Sequence, residues 1–520
     1  MKLILEKIKF STFRNSYKNI KFEIKKLFSL IFNINFLWNN NFQNLLNPSK
    51  STILIFAPSM TIDKPNYLNV GLRNLIEEAK KINIEVEILQ CIEGLDICHL
   101  GGSPFKSSVH LPCKSCTKVN SLLYKDLNII KFNNIEKSQR LNDLTFNDLK
   151  NFKYKNIEVG KNSITSIAWI LRTSEIEEKH KDYLYKCVTS SIKLIDFLEK
   201  VDTDYFSGVL VFNGLTLPEA IMYEWCVLNN INIATFESGW SLNSQYALEL
   251  NYGPTSQHFF NFEDRALNDS ENDLINEYIN NKRTGLGDVN FSDRRKIISI
   301  YGNVSWDTSQ AVASTLFKSM YDWLDSLIPL IQENPEYIFV FRSHPGENRD
   351  LKQTWFGLEK WYKLNAAKIS NNSLCYSADS NVDSYQLVEM SELVLVYNST
   401  IGIESAILGK KVIAAAKTHY SDSGFVDFYS DVETYLYNLK KIISECDFQI
   451  SPSSVSKARS YYYQLLNEVS YEFGDINLKL KFNEHTLVND YKLNKFNIDR
   501  VDKLLKSFIK RKPLEKKFNL

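Results

Sequence analysis

The chain has 520 residues, 44% of them hydrophobic and 13% aromatic, with 62 Lys and Arg set against 61 Asp and Glu. That length exceeds what one ordinary core fills and points to two sizeable domains. Gly and Pro counts of 18 and 12 exclude a collagen-like or low-complexity chain. The near-zero net charge excludes a general polyanion binder, so no nucleic-acid partner is expected.

The balance hides basic ends. Residues 1–50 carry nine Lys or Arg against two Glu, and residues 501–520 carry seven Lys or Arg against two acids. Such tails can rest on anionic headgroups, each basic residue near the surface contributing about 1 kcal/mol, or they can be solvated helix faces. The apolar run 27–38 is broken by Ser29, Asn33 and Asn35 and falls short of the ~20 residues that span a bilayer. Ile24, Leu27, Phe28 and Ile31 share a helical face near Lys21, Lys25 and Lys26, a pattern suited to the membrane interface or to packing on the first domain. With no secretory signal in view, the expected location is the cytoplasm, peripheral at the inner face of the cytoplasmic membrane if these tails bind it.

In chain order, 52–57 (TILIFA) reads as a buried strand, 68–81 as a helix and 85–91 as the next strand. Residues 92–160 are Asn- and Lys-rich and read as irregular. Helical periodicity runs from 164 to 200, followed by strand 208–212 (GVLVF), helix 218–228 and strand 232–236. The polar stretch 268–293 reads as the domain link. The alternation then restarts with strand 296–301, helix 310–333, strand 337–341, helix 382–390, strand 393–397, helix 401–408 and strand 411–415. The fold class is therefore α/β, two Rossmann-like domains facing each other across a cleft. Their expected bounds are 51–285, with a Cys-rich insertion at 91–116, and 290–450. A basic segment at 1–50 and a helical extension with a basic tail at 451–520 flank them.

Three stretches carry chemistry. Tyr397-Asn398-Ser399-Thr400-Ile401-Gly402-Ile403-Glu404 runs from a strand into a helix, whose start presents unpaired N–H groups suited to a phosphate. Ser399 and Thr400 add hydroxyls, Gly402 allows close backbone approach, and Glu404 can accept from a ribose hydroxyl; an ordinary N-cap fits the same residues. Phe341-Arg342-Ser343-His344-Pro345-Gly346-Glu347 puts Arg342 and His344 at a strand's carboxyl end, where Arg can grip phosphate and His can donate a hydrogen bond or move a proton. Phe236-Glu237-Ser238-Gly239-Trp240 ends a first-domain strand, and Glu237 there can deprotonate an alcohol or merely cap a turn. Asn213-Gly214, ending the neighbouring strand, can orient an acceptor.

These motifs resemble those of the bacterial capsule polysaccharide biosynthesis glycosyltransferases. The resemblance rests on Phe212-Asn213-Gly214, Phe236-Glu237-Ser238-Gly239, Ser305-Trp306-Asp307, Arg342-Ser343-His344-Pro345, Asp383-Ser384-Tyr385, Asn398 to Glu404 and Gly409-Lys410-Lys411-Val412-Ile413, spanning 205–425. It departs at Lys411, where the family usually has Pro. It implies a GT-B-like arrangement that needs no cofactor or metal for transfer. It further implies a nucleotide-sugar donor, CMP- or UDP-linked, held by Arg342, His344, Ser399 and Thr400, with a glycan or lipid-linked acceptor facing Glu237 as base. The competing readings are a polyol-phosphate transferase of CDP-glycerol type and a non-catalytic, membrane-associated export scaffold.

Two further patterns were weighed. Asp202-Thr203-Asp204 matches a metal-binding Asp-x-Asp but precedes a strand, so it reads as a solvated turn. Cys91, Cys98, Cys113 and Cys116, with His99 and His110 nearby, could hold a structural zinc through four thiolates or three thiolates and one imidazole; unligated thiols are the alternative.

Overall fold

The computed structural model describes residues 51–60, 67–98, 111–133, 141, 143–239, 247–251, 262–283, 286–289, 293–348, 353–369, 371–466, 470–472, 505–506 and 508–510. The amphipathic segment at 24–31, His99, His110 and most of both basic tails lie outside them.

The first domain opens with β1 (Ser51–Phe56), α1 (Tyr67–Lys81), β2 (Ile84–Ile92), α2 (Cys113–Leu123) and β3 (Asn128–Asn133). It continues with α3 (Phe146–Lys150), α4 (Val159–Leu171), α5 (Lys181–Leu198), β4 (Gly208–Phe212), α6 (Glu219–Leu228), β5 (Ile233–Ser238) and β6 (Ala247–Asn251). The second domain holds α7 (Asp269–Arg283), β7 (Lys296–Tyr301), α8 (Gln310–Ala313), α9 (Met320–Glu333), β8 (Tyr337–Arg342), α10 (Leu358–Asn365) and β9 (Ser373–Tyr376). After these come α11 (Ser384–Met390), β10 (Ser391–Val396), α12 (Ile401–Ile407), β11 (Lys411–Ala414), β12 (Asp427–Phe428), α13 (Val432–Glu445) and α14 (Pro452–Gln464). A last strand, β13 (Ser470–Glu472), returns to the first sheet.

The two sheets run β13-β6-β5-β4-β1-β2-β3 and β12-β11-β10-β7-β8-β9 among the described residues. The second is the doubly wound Rossmann order, every described pairing parallel. The first has the same core order with an antiparallel edge at β6 and β13. Parallel strands need both faces covered, which is why GVLVF in β4 and SELVLV in β10 are nearly continuous apolar runs. Each sheet accordingly separates two apolar clusters. Val209 and Val211 lie in one cluster of the first domain, with Leu210 in the other. Leu393 and Leu395 lie in one cluster of the second, with Val394 and Val396 in the other.

Five expectations shift. The stretch expected to be irregular contains α2 and β3, β3 pairing parallel with β2 over Asn128 to Asn133. The helical periodicity of 164–200 is interrupted at Arg172, a C-cap with φ 58°, and the helix read over 310–333 breaks before Ser319, which caps α9 through Asp322 N–H. The expected link at 268–293 holds α7, whose Ile275 and Ile279 pack into the second domain with Tyr461 and Leu465; α14, read as an extension, belongs to that same core. Residues 505–510 return to the first domain, where Leu505 and Phe508 pack beneath β1 and β4. Asp202 to Asp204 lie in the turn before β4, at the amino edge of the sheet, as expected of a solvated turn.

Candidate functional site

In a doubly wound sheet the crevice opens where neighbouring crossovers diverge, here between β1 and β4 in the first domain and between β7 and β10 in the second. At the first switch point, Asn213 and Gly214 follow β4 with φ of 59° and 78°. A Cβ on Gly214 would lie 2.9 Å from Thr235 Cγ2, so the turn needs glycine on both counts. The Asn213 amide is pinned at both ends: its Oδ1 accepts from Leu215 N–H at 3.0 Å, and its Nδ2 donates to Glu237 Oε2 at 2.8 Å. Glu237 Oε1 accepts from Ser238 N–H at 3.0 Å, which leaves the carboxylate half-buried and fixed at the end of β5.

Beside this pair lies a residue the sequence did not single out. Glu219, the first residue of α6, is fully buried; its Oε1 accepts from Ser59 N–H at 2.7 Å, and Oε2 has no partner among the described residues. Burial pushes its carboxyl up to about 8, against the lowering effect of the Ser59 hydrogen bonds, and nearby Glu237 adds to the rise. Glu219 therefore holds its proton at neutral pH. Two carboxyls set apart by environment are the arrangement by which one site divides acid and base roles. The only sequence sign was an acid directly after Pro218, which reads as an ordinary helix start.

The second switch point differs in character. Arg342 ends β8 with 4% exposure and donates to Ser377 O at 2.5 Å, Ser380 O at 3.1 Å and Ser384 Oγ at 3.2 Å. Its fork thus fastens the loop between β9 and α11, and the charge meets neutral oxygens rather than a carboxylate. His344 is half-buried, and its Nδ1 accepts from Gly346 N–H at 2.9 Å. In the neutral ring this leaves the hydrogen on Nε2, the tautomer that can donate to an oxyanion. Gly346 allows it, since a Cβ there would lie 2.8 Å from Nδ1.

Ser399 and Thr400 are half-buried between β10 and α12. Asn398 ties this turn to the loop after β7: its N–H donates to Asn303 Oδ1 at 3.2 Å, its Nδ2 to Ser309 Oγ at 3.2 Å, and its Oδ1 accepts from Gln310 Nε2 at 3.1 Å. Gly402 and Glu404 sit differently from the expectation. A Cβ on Gly402 would lie 2.5 Å from Tyr420 OH, which donates to Ser399 O at 2.5 Å; the glycine makes room for that tyrosine. Glu404 is 3% exposed and its Oε1 accepts from Lys282 Nζ at 2.7 Å and Tyr462 OH at 2.6 Å. It joins α12 to α7 and α14, which occupies the oxygen that was to meet a ribose.

The cysteine cluster changes meaning as well. Cys98, Cys116 and Cys113 lie close enough to Cys91 to act on its titration, yet among the described residues no group of three or more His, Cys, Asp or Glu is arranged to hold a metal ion. Burial pushes the Cys91 thiol up to about 12 and the Cys116 thiol to about 11. As placed among the described residues, Cys91, Cys98, Cys113 and Cys116 do not form a metal ligand set. Among the described residues no helix is long and apolar enough to cross a membrane.

No known family profile matches the sequence. Protein FixF of Sinorhizobium fredii is 27% identical over 115 residues, 22% of this chain, which spans 25% of that protein's length. Among solved structures, the β-Kdo 2,4 transferase KpsC of Thermosulfurimonas dismutans is 14% identical with a TM-score of 0.34, covering 49% of this chain and 80% of its own. A glycosyltransferase from Rickettsia africae is 12% identical with a TM-score of 0.28, covering 89% of this chain and 100% of its own. A UDP-GlcNAc 2-epimerase from Neisseria meningitidis is 15% identical with a TM-score of 0.24, covering 80% of this chain and 99% of its own. Likeness at this level assigns neither activity nor substrate.

Proposed function

We propose that the chain is a glycosyltransferase that moves a sugar from a nucleotide-linked donor, CMP- or UDP-linked, to a hydroxyl of a glycan or lipid-linked acceptor in surface polysaccharide synthesis. The observation that carries this reading is the first switch point, where Asn213 fixes the Glu237 carboxylate beside the protonated, fully buried Glu219. The acceptor hydroxyl gives its proton to Glu237 as its oxygen bonds to the anomeric carbon. The bond from that carbon to the donor phosphate breaks, and the nucleotide leaves with the electron pair. In this reading His344 donates from Nε2 to the departing phosphate, and the Ser399 and Thr400 hydroxyls add donors. Arg342 contributes its positive charge through the loop it holds. Glu404 and Gly402 drop out of the donor grip and become supports of α12. The low similarity of known glycosyltransferase structures is compatible with this reading and adds no weight to it.

A panel of nucleotides and nucleotide sugars tests it, scored first by thermal shift and then by turnover. A CMP- or UDP-sugar should raise the melting temperature by mass action and be consumed when acceptor is present. Turnover of CDP-glycerol with no nucleotide sugar accepted would replace the reading with polyol-phosphate transfer.

A further inference from the structure

Arg172 breaks the α4–α5 helical run between the two domains. It is the C-cap of α4, held at φ 58°, a left-handed conformation usually left to Gly or Asn. Ser166, in the same helix, accepts from Leu217 N–H at 2.7 Å, so α4 runs along the loop that follows β4. From the second domain, Trp306 in the loop after β7 and Trp355 reach the same place, and Trp355 N–H donates to Arg172 O at 3.0 Å.

The guanidinium lies in the corner of two indoles, its carbon 3.9 Å from the Trp169 ring centroid and 4.4 Å from that of Trp306. The rings meet edge to face at 87° with centroids 6.0 Å apart, and Trp306 is fixed by its Nε1–H donating to Thr354 Oγ1 at 3.0 Å. Arg172 is only 9% exposed, yet Nε and Nη1 are buried with no hydrogen-bond partner among the described residues. Among the described residues no carboxylate offsets that burial, which draws its pKa down to about 10. The π faces answer part of the charge, but the Nε and Nη1 donors lie in the guanidinium plane, where a ring face does not meet them. A buried cation without a counter-ion is costly to fold around, and proteins that keep one generally use it.

We propose that Arg172, seated between Trp169 and Trp306, is an oxyanion-binding site formed jointly by the two domains. It takes a phosphate or a sugar carboxylate through its unspent N–H donors, with the indoles fixing the guanidinium from each side of the interface. The site is distinct from Arg342, whose donors are committed to the 377–384 loop, and it stands whether or not the transfer reading holds.

The experiment needs no donor or turnover, so its failure is separable from failure of the proposed activity. Melting temperatures of the wild type and Arg172→Met are measured alone, with inorganic phosphate and with glucuronate. The expected result is a concentration-dependent rise in the wild type with at least one anion, and its loss in Arg172→Met. The variant alone should melt no lower than the wild type, because removing an uncompensated buried charge relieves the fold. A response to phosphate alone assigns the site to a phosphate group, and a response to glucuronate alone assigns it to a carboxylate. No wild-type response to either anion, an undiminished response in Arg172→Met, or a drop of several degrees in the ligand-free variant would overturn the proposal. The last of these would make the arginine a structural latch between the indoles.

Discussion

The carboxyl edges of the two sheets are built on the same topology and spend their charged residues in opposite ways. On the second sheet, Arg342 is consumed by two loop carbonyls and a serine, and Glu404 by Lys282 and Tyr462, so the charges hold elements together. On the first, Glu219 is buried with one oxygen unanswered among the described residues, and Glu237 accepts from the Asn213 side-chain amide and the Ser238 N–H. A residue type at a strand end therefore reports where chemistry can sit, and only its partners report whether it is left available. The motif that looked most like a phosphate grip is the more structural of the two edges.

The strongest test of that contrast is Glu237→Gln. Loss of a base should lower turnover about 10²–10⁴-fold while donor binding stays unchanged; the amide keeps an oxygen for Asn213 and gives up the acceptor of Ser238 N–H, so stability should fall by only about 1 kcal/mol. Next is Lys282→Met, which leaves the Glu404 carboxylate in the core with its cation gone and should cost about 3 kcal/mol in denaturant unfolding; adding Glu404→Leu should recover most of it. If Lys282→Met instead left stability intact and weakened only donor binding, the structural assignment of Glu404 would fall.

Gly402→Ala should cost about 1–3 kcal/mol by pressing on Tyr420, and Tyr420→Phe in the same chain should restore part of that loss. A glycine kept for phosphate approach would show no such rescue. The last effect is one of slope. The folded Glu219 carboxyl keeps its proton up to about pH 8, whereas an ordinary glutamate gives it up near 4.5, so the folded state binds the extra proton between these values. Stability then falls as pH rises through that window, and Glu219→Gln should flatten the decline. Glu347, raised to about 7 by burial, contributes a similar slope over the lower part of the range and remains in the variant.

The fold was legible wherever apolar runs recurred at strand length, because parallel strands covered on both faces leave that imprint directly. β3 escaped because NIIKFN lies between polar stretches and buries one residue strongly, Phe132, with the others exposed or half-buried. The helix break at Arg172 had no Gly or Pro to announce it; the reason for it is tertiary, in Trp169, Trp306 and Trp355. In the site, Asn213, Glu237 and His344 could be placed from strand ends alone. Glu219 could not, since its property comes from burial, and the use of Gly402 could not, since Tyr420 arrives from 18 positions further on.

The return of the chain to its starting domain has a consequence for biosynthesis. β13 pairs with β6 only after the whole second domain has been made, and Phe508 fills the space over Gly208, its carbonyl accepting from Asn232 Nδ2 at 2.6 Å. A ribosome releasing residues 51–251 has therefore delivered the other described strands of the first sheet while one edge and one apolar groove still await residues made after the second domain. The first domain is completed after the second, and a nascent chain must keep β6 from pairing with a neighbour on the same polysome until then.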